Sequence, residues 1–148
     1  LDTSAHADSV EAKQGRQALM GKAEHDFAAV IAGLLPKLLH KHHLTDASLV
    51  QVITAMANSL GPAAFMRQQG AMLGRIDSRP GLAQISCPTL VVCGREDAIT
   101  PLAMHQELAA AISGAQLTVL DDCGHLSSLE QPERVTQALT LWLQRLQH

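Results

Sequence analysis

Between residues 9 and 75 the apolar positions recur every three or four residues, the spacing of helices that bury one face. Asp8 and Glu11 have the Asp-x-x-Glu spacing of a capping box, so a first helix is expected to start near Ser9. A second helix carries Phe27, Val30, Ile31, Leu34 and Leu38, with Pro36 expected to kink or restart it. The segment LTDASLVQVITAMANSLG places Thr45 at an N-cap and Leu49, Val50, Ile53, Met56 and Leu60 along one face. Gly61-Pro62 then supplies a stop and a fresh start for a helix with Phe65, Met66, Met72 and Leu73. DSRPG at 77–81 breaks the pattern, and no strand is expected among these helical hairpins.

After Pro88 the period changes. TLVVC (89–93) is continuously apolar, as expected of a strand buried on both faces of a parallel sheet. GREDAITP turns the chain, and Pro101 suits the first position of a helix over about 101–112 that points Leu102, Leu108, Ala109 and Ile112 inward. AQLTVL (115–120) reads as a second strand. A last helix from about Pro132 uses Val135, Leu139, Trp142 and Leu146. The order is a βαβ unit with an outer helix. The opening LDTSAHAD reads as the tail of a further strand running into a polar loop.

A right-handed crossover makes the two strands parallel neighbours, so both loops at their carboxyl ends lie on one edge of the sheet. The first of these loops holds Asp97 and the second holds His125. Neighbouring strands lie roughly 4.8 Å apart, which brings these residues within hydrogen-bond reach at the edge where open α/β sheets bind ligands. A carboxylate that accepts from Nδ1 fixes the imidazole tautomer and leaves Nε2 free to take a proton. Neither step needs a metal.

Composition narrows the function. At 148 residues, with 47% apolar and 17% charged residues, the chain suits one folded domain. A net charge of −3, no Tyr, one Trp and two Phe argue against nucleic acid as a partner. Cys87, Cys93 and Cys123 cannot complete a disulfide framework within the chain, and a reducing, cytoplasmic compartment is expected. No run approaches the roughly 18 consecutive apolar residues of a membrane span, so no membrane partner is expected.

PTLVVCGREDAITP and AQLTVLDDCGHLSSLEQPERV together resemble the α/β-hydrolase superfamily, in which such strands carry the acid and the histidine of a catalytic triad. Gly94-x-x-Asp97 with Thr100-Pro101, joined to Gly124-His125 and Glu130-x-Pro132, carries the resemblance, which extends over essentially the whole chain. HLSSLEQPE looks most like the 3-oxoadipate enol-lactonase-like branch. The resemblance implies an α/β class chain with an incomplete α/β-hydrolase fold. Residues 1–4 would be the end of a core strand and 5–80 a helical cap. Residues 81–148 would form the C-terminal part of the core, a βαβα unit with two parallel strands. The implied activity is hydrolysis of a small carboxylic ester or lactone, with no cofactor and no metal. Asp97 and His125 are the expected catalytic residues, and Ile99 and Leu126, which follow in each loop, are expected to face substrate.

One part of the family pattern is missing. Gly-x-Ser-x-Gly, the turn that presents the serine nucleophile, occurs nowhere in the sequence. The chain is therefore expected to be the C-terminal half of such an enzyme, inactive alone, with the N-terminal half or a second copy as partner. The alternative is a non-catalytic fragment or binding module that associates through an unpaired sheet edge. Among lesser candidates, Glu96 competes with Asp97 for the acid role, and Cys123 is poorly placed as a nucleophile. Asp121 and Asp122 read as strand-end and turn residues, Arg95 as a surface residue. HKHH at 40–43 reads as a solvated helix end rather than a metal site. Phe65, Met66 and Met72 suit core packing better than a pocket wall.

Overall fold

Capping side chains mark where the first three α-helices begin, and two of those starts differ from the sequence expectation by one residue. In the computed structural model, which describes residues 1–147, α1 (Val10–His25) is capped by Ser9, whose hydroxyl accepts the Ala12 N–H at 3.1 Å. Asp8 is not the cap, because its carboxylate is engaged by Arg16. Helix α2 (Phe27–Leu38) is capped by Asp26 and runs through Pro36 without a break. That proline sits in the last turn and removes one rung of the ladder, the bond its N–H would have made to the Ala32 carbonyl.

Asp46, not Thr45, caps α3 (Ala47–Leu73), with Oδ1 accepting from the Ser48 and Leu49 N–H groups. The Thr45 hydroxyl instead donates to the His42 carbonyl within a 3₁₀ turn over Lys41–Thr45. Gly61 (φ 73°, ψ 174°) interrupts α3 where the stop and restart were expected. By length and composition Ala47–Leu73 is apolar enough to cross a membrane. The break at Gly61 leaves pieces that each fall short of a span of roughly 20 residues.

Ala23, Val30 and Phe65 form the core between these helices, with Leu19, Phe27, Leu34 and Met66 packed around it. Phe27 and Phe65 meet edge to face at 5.6 Å between centroids. The expected apolar face of α3 is covered only in part: Ile53 is buried, but Met56 and Leu60 are exposed.

The second half is a two-stranded parallel sheet, β1 (Leu90–Gly94) beside β2 (Gln116–Leu120), with Leu90 opposite Gln116 and Gly94 opposite Leu120. Helix α4 (Leu102–Ala111) crosses between the strands, and α5 (Ser127–Glu130) and α6 (Pro132–Arg145) follow β2. Successive side chains of β1 point to opposite faces. Val91 therefore packs with Leu108 and Ile112 of the crossover, while Val92 packs with Leu120, Cys123 and Val135. Burying a valine is worth ~1.5–3 kcal/mol against leaving it exposed, which explains the unbroken apolar run. Of the α6 positions expected inward, Val135 is buried, whereas Leu139 and Leu146 are exposed. Residues 1–4 form no strand, but the Asp2 N–H bonds the Val92 carbonyl at 3.0 Å, on the edge of β1 that β2 leaves open.

Candidate active site

The loops leaving β1 and β2 touch backbone to backbone. A Cβ on Gly94 would lie 2.1 Å from the Gly124 carbonyl oxygen and 2.2 Å from that of Cys123, so only glycine permits this approach. Gly124 is hemmed in likewise, its Cβ position lying 2.7 Å from the His40 nitrogen. The two strand ends are thereby drawn together, and with them the side chains they carry.

Asp97 is buried and hydrogen-bonded at both oxygens. Oδ1 accepts from the Ile99 and Thr100 N–H groups, each at 2.8 Å. Oδ2 accepts from the Thr100 hydroxyl at 2.7 Å and lies 2.9 Å from His125 Nδ1. Burial pushes the carboxyl's pKa up, but hydrogen bonds from His125 and Thr100 outweigh it and hold the pKa below its ordinary value. An ionised carboxylate only accepts, so the proton between the two residues sits on Nδ1. Nε2 is then the basic nitrogen. The His125 side chain is 20% exposed and lines a cavity of about 430 Å³ with Asp2, Ser4, Met72, Ile99 and Met104.

The other candidates are employed elsewhere. Glu96 accepts the Cys123 N–H at 3.1 Å and ties the two loops together. Cys123 is fully buried, and burial pushes its thiol up to about 12, which keeps it protonated at neutral pH. Ile99 lines the cavity, whereas Leu126 is not among its lining residues and uses its N–H on the Leu38 carbonyl at 3.2 Å. Phe65 and Met66 belong to the helical core, and Met72 to the cavity wall. Asp121 pairs with Arg95 on the surface, and Asp122 takes the left-handed turn at φ 57°.

Asp2, Asp97 and His105 bring potential metal ligands together. Asp97 is already saturated with hydrogen bonds, and His105 Nε2 accepts the Thr3 N–H at 3.0 Å. Asp2 Oδ1 and His105 Nδ1, by contrast, are buried without a hydrogen-bond partner among the described residues.

A profile of the alpha/beta hydrolase family matches residues 7–138. The chain belongs to this family. It is similar to a thermophilic esterase from Thermogutta terrifontis solved with malate bound, at TM-score 0.89 and 34% identity over 97% of this chain and 54% of that one. An enol-lactonase from Burkholderia xenovorans LB400 matches at TM-score 0.84 and 25% identity, with the same coverage. A 2-hydroxy-6-oxononadienedioate/2-hydroxy-6-oxononatrienedioate hydrolase from Klebsiella pneumoniae is 38% identical over 69 residues, 47% of this chain and 24% of that protein. This alpha/beta hydrolase chain thus spans about half the length of the solved structures it matches.

Sequence reading missed the residue that fastens the histidine loop of this alpha/beta hydrolase chain to its helices. Glu130 Oε1 accepts the Gly124 N–H at 2.9 Å, and Oε2 accepts the His40 N–H at 2.7 Å and faces His43 Nδ1 at 2.8 Å. The HKHH segment is therefore not a solvated helix end: His40 is buried and His43 pairs with a fully buried carboxylate. Only the spacing Glu130-x-Pro132 hinted at this residue. Glu130→Ala strands two buried N–H groups, at ~1–3 kcal/mol each. Urea unfolding should show a loss of about 3 kcal/mol, and a loss below about 1 kcal/mol would mean the clamp is unimportant.

Proposed function

We propose that this chain carries the acid and base of a serine-type hydrolase acting on a small carboxylic ester or lactone. Residues 5–80 form its cap and residues 81–148 the C-terminal part of its core. The observation that carries this reading is the Asp97–His125 hydrogen bond of 2.9 Å, with the imidazole lining a cavity. The serine comes from a segment outside these 148 residues, which hold no Gly-x-Ser-x-Gly.

His125 Nε2 takes the serine proton as the oxygen attacks the substrate carbonyl, and Asp97 stabilises the imidazolium that forms. Collapse of the tetrahedral intermediate breaks the carbon–oxygen bond, and the imidazolium returns the proton to the leaving alkoxide. Water then attacks the acyl-enzyme, giving a proton to Nε2; collapse of the second tetrahedral intermediate breaks the bond to the serine oxygen, which takes that proton back from Nε2 as the carboxylic acid leaves. Ile99 forms part of the wall that holds the acyl or alcohol portion, and Leu126 supports the loop beside it.

The alternative, a binding module docking through a bare sheet edge, has less support. Asp2 already occupies the Val92 carbonyl, and side chains of α4 and α6 pack on opposite faces of β1.

The test is p-nitrophenyl acetate hydrolysis by the chain alone and after co-expression with an alpha/beta hydrolase N-terminal half that contains Gly-x-Ser-x-Gly. Losing the nucleophile alone costs about 10⁶ in turnover in another serine hydrolase. The chain alone should therefore show no turnover above buffer, and the reassembled pair should show it. Turnover by the chain alone that disappears in His125→Ala would overturn the proposal.

A further inference from the structure

The HKHH segment divides its histidines between two sites. His43 faces the buried carboxylate of Glu130. His40 and His42 are grouped instead with Asp122, and one potential ligand atom from each of the three lies within 4.8 Å of the others. Asp46, the carboxylate nearest to these histidines in sequence, is used to cap α3, so the third group has to come from the fold. It comes through main-chain contact. The Cβ position of Gly124 lies 2.7 Å from the His40 nitrogen, and Glu130 accepts both the Gly124 and the His40 N–H groups. The two segments are thus fixed against each other just beside Asp122.

None of the three side chains is firmly committed elsewhere. His40 is only 5% exposed, yet its ring hydrogen bond among the described residues is a long one. Nδ1 accepts the His42 N–H at 3.4 Å, against a usual range of roughly 2.7–3.2 Å. The rings of His40 and His42 lie 4.6 Å apart between centroids. Asp122 takes a left-handed turn at φ 57°, and its carboxylate pairs with no cation among the described residues, whereas that of Asp121 is engaged by Arg95. The three residues line a cavity of about 360 Å³ together with Glu96 and Lys41. The carboxylates of Glu96 and Asp122 outnumber the one ammonium group, and Lys41 is exposed and free to extend into solvent.

Two imidazoles and a carboxylate suit a borderline divalent ion, zinc above all, whereas calcium and magnesium take oxygen ligands. Bonds of about 2.0–2.2 Å place tetrahedral ligand atoms roughly 3.3 Å apart. The exposed side chains of His42 and Asp122 can close that distance around a fixed His40. We propose that His40, His42 and Asp122 form a zinc site, with water in the fourth position. This cavity shares no lining residue with the one beside His125. The ion therefore clips the histidine loop to the segment after α2 without entering the proposed reaction, and the site stands or falls independently of the hydrolase reading.

Calorimetric titration of the 148-residue chain with zinc chloride tests this directly. One equivalent should bind, and the thermal midpoint should rise with it, because the three ligands meet only in the folded chain. His42→Ala and Asp122→Asn should each weaken binding by at least about tenfold, the loss that follows removal of even an outer-shell group. Asparagine tolerates the left-handed turn, so Asp122→Asn removes the charge and keeps the loop. His25→Ala removes a histidine outside the site and should bind zinc as the unaltered chain does. X-ray absorption of the zinc-loaded, unaltered chain should show two imidazoles and only nitrogen and oxygen neighbours, at about 2.0–2.2 Å. Absence of saturable binding would overturn the proposal, and so would unchanged affinity in a folded His42→Ala or Asp122→Asn protein or lost affinity in His25→Ala. If neither ligand variant folds, the absorption measurement decides, since a sulfur neighbour at about 2.3 Å would move the ion to a cysteine.

Discussion

On the proposed serine-hydrolase reading, Asp97→Asn should lower kcat of a reassembled enzyme by about 10⁴ while leaving the fold intact. The reason lies in which donors the two carboxylate oxygens serve. Oδ1 takes two backbone N–H groups, from Ile99 and Thr100, and neither can turn into an acceptor. An asparagine must therefore put its amide oxygen there and its NH₂ where Oδ2 now faces the Thr100 hydroxyl and His125 Nδ1. The hydroxyl can rotate to accept. The imidazole can accept at Nδ1 only by moving its proton to Nε2, the nitrogen proposed to receive the serine proton. Stability changes little, because most hydrogen bonds find a partner, and KM should stay within about threefold because substrate binding does not use the pair. Glu96→Gln is the matched control: Glu96 accepts a Cys123 N–H rather than serving His125, so kcat should change by less than about tenfold. Stopped-flow p-nitrophenyl ester hydrolysis reads both. A fall of less than about tenfold in Asp97→Asn would remove Asp97 from the acid role.

The pairing of Asp97 with His125 was legible because three local signals combine to fix it. A β-branched apolar run marks each strand, an intervening helical period forces a parallel crossover, and a loop of a few residues follows each strand. None of these needs knowledge of a distant contact. Glu130 was not legible for the opposite reason. Glu130 serves the amide of His40 from 90 positions away, so no period or spacing announces it. Helix starts failed by one residue because adjacent polar side chains compete. Asp8 lost the cap to Ser9 when Arg16 took its carboxylate, and Thr45 yielded to Asp46 when its hydroxyl turned to His42. Apolar periodicity also says which residues share a face, not whether anything covers it. Met56 and Leu60 of α3 and Leu146 of α6 keep the expected spacing and remain exposed.

Gly94→Ala should cost about 4 kcal/mol or more, the largest effect of any single methyl group added to this chain. The new Cβ would sit 2.1 Å from one carbonyl oxygen and 2.2 Å from another, both main-chain atoms of the β2 loop. A side chain in that position could swing away, but a backbone carbonyl moves only with its strand. Relief requires the strand ends to separate by more than an ångström, roughly the shortfall from an ordinary van der Waals contact. That separation strains the Arg95 N–H bond to the Leu120 carbonyl at 2.9 Å and the Glu96 N–H bond to Cys123 at 3.0 Å. It also pulls Asp97 from His125, because each is only a few residues from the contact. Gly33→Ala supplies the contrast, since that glycine lies inside α2 with nothing within 4 Å of its Cβ position. Relief of glycine's backbone entropy there should stabilise the chain by up to about 1 kcal/mol. Urea midpoints at constant m-value measure both. Opposite signs for the two substitutions locate the demand in the crossing of two main chains at the head of the site, whereas a Gly94→Ala protein within about 1 kcal/mol of the unaltered chain would mean that the loops meet more loosely than their geometry requires.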